Sequence, residues 1–209
     1  MAERSGERGR AVPAGKLTFE EFLAWCDEDT WAEWLDGEVQ MVSPASRRHQ
    51  ALRGFLAAVL IIYVERRALG GVLGAPFLMR LANVPSGREP DVLFVAAEHQ
   101  DRLRETYLEG PADLVVEIVS PESRLRDRGE KFAEYELGGV REYWLLDPEQ
   151  RRADFYRLDA EGRYQRAPVD PDGIYRSEVL PGFGLRVAWC WQAPLPPVLA
   201  ALRELGLLA

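Results

Sequence analysis

Glu117 interrupts the run Leu114-Val-Val-Glu-Ile-Val119, whose other members are all apolar. Such a run reads as a buried strand. Burying an ionised carboxylate costs several kcal/mol unless a cation or hydrogen bonds compensate, so Glu117 asks for a partner. Strand alternation places it on one face with Val115 and Val119. A second acid stands at a strand mouth, where Glu89-Pro90-Asp91 leads directly into Val92-Leu-Phe-Val95. Two strand-borne carboxylates that converge make an all-oxygen site, which favours a hard cation over zinc. On these residues alone other readings stay open. An acid at a strand start also caps turns, and an acid within a strand can face solvent on a sheet edge.

Other reactive residues give weaker signals. His49, in Ser46-Arg-Arg-His49, can meet a phosphate together with Arg47 and Arg48, but a solvated helix end is the commoner reading. His99 lies in a polar stretch and suggests no chemistry. Arg80 and Arg88 read as isolated surface arginines. Trp31, Trp34, Trp144, Trp189 and Trp191 stack on bases if exposed, although packing suits most of them in their strand contexts. Cys26 and Cys190 lie outside any CxxC spacing, so they encode neither a disulfide framework nor a zinc site and read as inert thiols. Glycine pairs at 70–71 and 138–139 match no phosphate-cradling loop, and no Ser-His-Asp or Cys-His arrangement is signalled.

The elements that must carry these residues are legible in outline. Thr18 followed by Glu21 forms a capping box before Phe19, Phe22, Leu23 and Trp25, which predicts a short helix. Asp36-Gly37 between Trp31–Leu35 and Glu38–Val42 predicts a β-hairpin. Leu52, Phe55, Leu56, Val59, Leu60 and Tyr63 keep helical spacing within a long helix from about Ser46 to Leu69, stopped by Gly70-Gly71. Strands are expected at Val72–Leu81, Val92–Ala96, Leu114–Val119, Glu142–Leu146, Ala153–Leu158 and Tyr175–Leu180. A helical stretch is expected from Arg124 to Leu137, and a C-terminal helix within Leu195–Leu208. The pattern is an α/β or α+β architecture, a mixed sheet of about five to seven strands flanked by helices.

Composition bounds the function. The 209 residues suit one domain, expected over 16–209 behind a disordered lead-in at 1–15. The start, MAERSGERGR, has no apolar h-region, and Phe55–Val64 is far too short a run to span a bilayer. A cytoplasmic protein is expected. With 26 basic and 34 acidic residues the formal charge is -8, which argues against strong non-specific DNA affinity and leaves room for a carboxylate metal site.

Pro90-Asp91, the strand acid Glu117, Ser120-Pro121, Asp127-Arg-Gly-Glu-Lys131, Tyr135, Gly139-Val140 and Glu142-Tyr-Trp-Leu-Leu-Asp147-Pro148 together resemble the Uma-two family of restriction endonucleases, within the PD-(D/E)xK nuclease superfamily. The resemblance runs from about Thr18 to Leu185. It implies a restriction-endonuclease-like fold with an N-terminal helix and hairpin, and a metal-dependent endonuclease acting on DNA. Asp91 and Glu117 are then the metal-binding acids, with Glu38 a further carboxylate from the hairpin, and the cofactor is Mg²⁺ or Mn²⁺. One departure stands out. The superfamily usually places a lysine two residues after the strand acid, where this chain has Val119. Lys131 on the following helix is the candidate replacement. Read from spacing alone, Lys131 is an i,i+4 surface partner of Asp127. A homodimer follows from the resemblance and from the apolar C-terminal region. Two rival readings are an inactive nuclease-fold binding or assembly module and a metal-dependent hydrolase of another phosphate-containing substrate.

Overall fold

The computed structural model describes residues 12–27 and 30–208. Residues 1–11 of the expected lead-in lie outside the described residues. Helix α1 (Phe19–Trp25) begins with the anticipated box: Glu21 N–H donates to Thr18 Oγ1 at 3.1 Å, and Thr18 N–H donates to Glu21 Oε2 at 2.8 Å. It buries Phe19 and Phe22. Strands β1 (Ala32–Leu35) and β2 (Glu38–Met41) follow as a hairpin. Asp36 and Gly37 both have positive φ, 45° and 89°, the combination a type I′ turn requires.

Helix α2 (Arg47–Arg67) is capped by Ser46, whose Oγ accepts from His49 N–H at 3.2 Å. It lays Leu52, Phe55, Leu56, Val59, Leu60 and Tyr63 into the core. The glycine pair does not end it. The chain turns at Ala68, in the left-handed region at φ 52°, and Gly70-Gly71 already belong to strand β3 (Gly70–Leu73). Gly70 is required there, because a Cβ on it would lie 2.1 Å from the Val95 carbonyl oxygen.

The single run expected over Val72–Leu81 is two strands in two sheets. After β3 come β4 (Leu78–Leu81), β5 (Ser86–Arg88), β6 (Val92–Ala96), β7 (Tyr107–Glu109) and β8 (Leu114–Ile118). The Arg124–Leu137 helix is likewise split. Gly129, at φ -117° and ψ -84°, breaks it into α3 (Arg124–Arg128) and α4 (Glu130–Gly138). Strands β9 (Glu142–Asp147), β10 (Arg152–Leu158) and β11 (Tyr164–Ala167) complete the larger sheet. The expected Tyr175–Leu180 strand is only β12 (Ile174–Arg176), paired with β13 (Gly184–Arg186), and α5 (Val198–Glu204) closes the described chain.

Among the described residues the strands form a six-stranded sheet, β11-β10-β9-β8-β6-β3, a five-stranded sheet, β2-β1-β5-β4-β7, and the β12-β13 ribbon. The expectation of one sheet is therefore divided, since β1 pairs with β5 and β5 with β4 instead of extending the larger sheet. In the larger sheet β8 and β9 are parallel, joined by the crossover through α3 and α4, while the other pairs are antiparallel. Period-two alternation sorts its two faces. Leu114, Val116, Ile118, Val92 and Phe94 pack toward α2, whereas Val115, Val119, Leu93 and Val95 pack with Met79, Leu81, Tyr135 and Tyr143. Glu117 points to the second side. No helix among the described residues is long and apolar enough to cross a membrane.

Candidate functional site

The register of β6 against β8 decides where the two strand acids meet. Val92 pairs with Val116 and Leu93 with Val115, so the register, carried one residue beyond the last pair, points Asp91 toward Glu117. Asp91 leaves the ladder here and uses its side chain instead, with Oδ2 accepting from Ile118 N–H at 2.7 Å. The turn behind it is tight. Ala75 N–H donates to Pro90 O at 2.9 Å, and a Cβ on Gly74 would lie 2.3 Å from the Asp91 carbonyl oxygen.

Glu117 is 3% exposed, and both of its partners come from one face of α4. Its Oε1 accepts from Lys131 Nζ at 2.9 Å and from Tyr135 Oη at 2.8 Å. Lys131 and Tyr135 are four residues apart, so one helical face delivers both. The lysine is not a surface partner of Asp127. It is buried, with Glu33 Oε1 at 3.4 Å and Asp127 Oδ1 at 3.8 Å in addition to Glu117. Residue 119 faces the apolar side-chain layer, and a lysine arriving from the crossover helix takes up the position beside Glu117.

Asp91, Glu117 and Lys131 line one cleft of about 640 Å³. Glu38 does not. It is exposed on β2, its charge acting on Lys16, and it is absent from the cleft lining. The same hairpin supplies Glu33 instead, from β1, which the register sets opposite Gln40.

Residues 19–188 match the Uma2 family, described as "Putative restriction endonuclease". The chain belongs to the Uma2 family. Among curated proteins it is 26% identical over 157 residues to an uncharacterized protein of Synechocystis, covering 73% of this chain and 80% of that one. Among solved structures it superimposes on a protein from Anabaena variabilis described as a "putative nuclease belonging to DUF820", with a TM-score of 0.70 and 16% identity. That match covers 84% of the Uma2 chain and 97% of its neighbour, and it shows a shared fold.

Sequence reasoning missed three residues that shape this Uma2 site. Arg88 is fully buried, not a surface arginine: Nη1 donates to Glu33 Oε2 at 2.9 Å, while Nε and Nη2 grip Glu134 at 2.8 and 2.7 Å. This fork ties β1 and β5 to α4, and thereby holds Lys131 in place. Glu33 is the second carboxylate on Lys131. His49 is not a solvated helix end, since Nε2 lies 3.1 Å from Asp91 Oδ2. Its Nδ1 is buried without a hydrogen bond. No local pattern marks Glu33. Arg88 carries a weak signal in its position one residue before Glu89-Pro90-Asp91.

The electrostatics follow from this crowding. Burial, reinforced by Asp127 and Asp91, pushes the Glu117 carboxyl up to about 8 against the pull of Lys131. For Glu33 burial works in the same upward direction, but Lys131 and Arg88 outweigh it and hold the carboxyl at about 2. Burial disfavours the Lys131 ammonium, yet Glu117, Glu33 and Asp127 more than reverse this and keep it protonated. Burial raises the Asp127 carboxyl as well, so Glu117 and Asp127 crowd the one ammonium that Glu33 also claims. Burial also disfavours the charged form of His49, and Asp91 more than offsets it, so its pKa is raised.

The donor set suits a hard dication. Among the described residues no group of three or more His, Cys, Asp or Glu side chains is arranged to hold an ion unaided. Mg²⁺ is commonly held by one or two carboxylates, with water and substrate phosphate completing its shell. Asp91 and Glu117 match that requirement. The raised Glu117 carboxyl and the buried Asp127 Oδ1, which lacks a hydrogen bond, show an excess of carboxylate over local cationic charge. A cation at the cleft wall relieves such an excess.

Proposed function

We propose that this Uma2 chain is a metal-dependent endonuclease that hydrolyses phosphodiester bonds in DNA. The observation that carries this reading is that Asp91, at the mouth of β6, and Glu117 on β8 line one open cleft, with Lys131 Nζ 2.9 Å from Glu117. Family membership and the shared fold support it.

Asp91 and Glu117 hold Mg²⁺ or Mn²⁺ in this reading. A bound hard dication supplies a more acidic water and neutralises charge on the phosphoryl oxygens. The residues do the rest. Ile118 N–H and His49 hold the Asp91 carboxylate, and Tyr135 holds Glu117. Lys131 presents a permanent positive charge at the edge of Glu117, where it orients the attacking water or stabilises the phosphoryl oxygens as charge builds. Because Arg88 and Glu33 preset the position of the ammonium, little reorganisation is needed during the reaction.

The test is cleavage of plasmid DNA by the full chain with Mg²⁺ or Mn²⁺, beside Asp91→Asn and Lys131→Met, with RNA and small phosphodiesters assayed in parallel. Calorimetric titration of the metal without substrate gives a second readout. Metal-dependent nicking that both variants lower by about a hundredfold or more is expected, on the scale of losing a key charge-stabilising group. A wild-type protein that neither binds these ions nor cuts DNA overturns the reading and favours an inactive binding module.

A further inference from the structure

The lip of the cleft carries groups that hydrolysis at Asp91 and Glu117 does not use. Trp31 is 40% exposed and Met41 is 50% exposed, and both line the cleft at the open end of the hairpin. Trp31 is set on a firm backbone, its carbonyl accepting from Val42 N–H at 2.9 Å. Three guanidinium groups line the same cleft, Arg48 and Arg53 from α2 and Arg126 from α3. None of the three makes an ion pair among the described residues, and Arg48 Nη2 donates to the Trp191 carbonyl at 3.4 Å. Arg126 Nε is buried without a hydrogen-bond partner, a donor set aside for something else. Beyond Arg48 a second depression of about 520 Å³ continues past Arg47 toward Leu195.

An exposed aromatic side chain, guanidinium groups without ion pairs and a neighbouring depression are what a single strand requires, since bases stack on the ring and phosphates track the cations. The dimensions agree. At about 640 Å³ the cleft falls in the range of pockets that enclose a small ligand, roughly 300 to 1,000 Å³, room enough for an unstacked nucleotide. The overall charge of -8 also withholds the long-range attraction on which duplex binding rests, leaving cationic help only along this track.

We propose that the cleft takes single-stranded DNA, or an unpaired segment, with one base on Trp31 and the flanking phosphates on Arg48, Arg53 and Arg126. This rests on the nuclease reading above and names the form of substrate it acts on.

The test measures anisotropy of a fluorescein-labelled oligonucleotide with the full chain in EDTA, as a single strand and as a blunt duplex of the same sequence. The single strand binds about tenfold tighter or more, and Trp31→Ala weakens it by about tenfold while Trp31→Phe keeps most of the affinity, because stacking needs only an aromatic face. Arg53→Gln lowers the salt dependence of single-strand binding by about 0.7 in log-log slope. Equal or tighter binding of the duplex, or unchanged binding by Trp31→Ala, overturns the proposal. Cleavage of the same two substrates in Mn²⁺ separates the two levels. If only the duplex is cut, the single-strand proposal falls and the nuclease reading stands. If neither is bound or cut, the nuclease reading itself falls.

Discussion

The Lys131 ammonium lies 2.9 Å from the Glu117 carboxylate, although the two are 14 residues apart and a helix break at Gly129 intervenes. It also faces Glu33 and Asp127. Removing it leaves three acids without their shared cation. Breaking a buried ion pair from one side costs about 3 to 5 kcal/mol. Lys131→Met should therefore lower unfolding free energy by that order, and Glu117→Gln in the same chain should restore part of it. Urea denaturation of the two variants and the double variant checks this, and an unchanged midpoint in Lys131→Met would sink the picture of a shared cation.

Glu33 gives the fold an acid-sensitive element. Its carboxyl is held at about 2 in the folded chain against an ordinary 4.5. A depressed carboxyl contributes stability that is complete above the unfolded value and is lost as pH falls through the folded one. The contribution is of order 3 kcal/mol, and it disappears between about pH 4.5 and pH 2. Glu33→Gln should flatten stability against pH in that window. Chemical denaturation at a series of acidic pH values reads this directly, and an identical acid slope in the variant would count against the Arg88–Glu33–Lys131 network.

Gly74 sets how closely the chain passes beneath Asp91. A Cβ there would meet the Asp91 carbonyl oxygen at 2.3 Å, and overpacking of this kind typically costs about 1 to 3 kcal/mol. Gly74→Ala should both destabilise the fold and weaken Mg²⁺ or Mn²⁺ binding by displacing Asp91. Gly54 is the control. It sits in α2 with nothing within 4 Å of an added Cβ, so Gly54→Ala should stabilise by up to about 1 kcal/mol and leave metal affinity alone. Melting temperatures and metal titrations of the pair distinguish a local effect on the site from a general one.

His49 holds Asp91 from the start of α2. Loss of a partner that orients a ligating carboxylate typically costs about 10- to 100-fold in metal affinity. His49→Ala should show that loss with a melting temperature near wild type, and His49→Gln, which retains a donor, should recover most of it. Metal titration of both variants measures the effect, and full affinity in His49→Ala would remove His49 from the site.

Much of the architecture was written locally. The capping box at Thr18, the positive-φ turn at Asp36-Gly37, the apolar stripe of α2 and the acid inside the β8 run each depend on neighbours a few residues away, so short-range spacing determined them. The same spacing made Asp91 and Glu117 candidates, because an acid within or at the mouth of an apolar strand demands compensation whatever the fold.

Only the tertiary structure decided what compensates them. Strand register pointed Asp91 toward Glu117, and a crossover helix broken at Gly129 brought Lys131 to the position that residue 119 leaves apolar. The hairpin's contribution moved from Glu38 to Glu33 for a similar reason, since the two sit on different strands and only one lines the cleft. Arg88 and His49 looked like surface residues because nothing nearby in the chain marks a cation as buried. Their partners, Glu33, Glu134 and Asp91, lie 55, 46 and 42 positions away. Charge pairing across such separations is set by how sheets and helices pack, which local sequence periodicity does not encode.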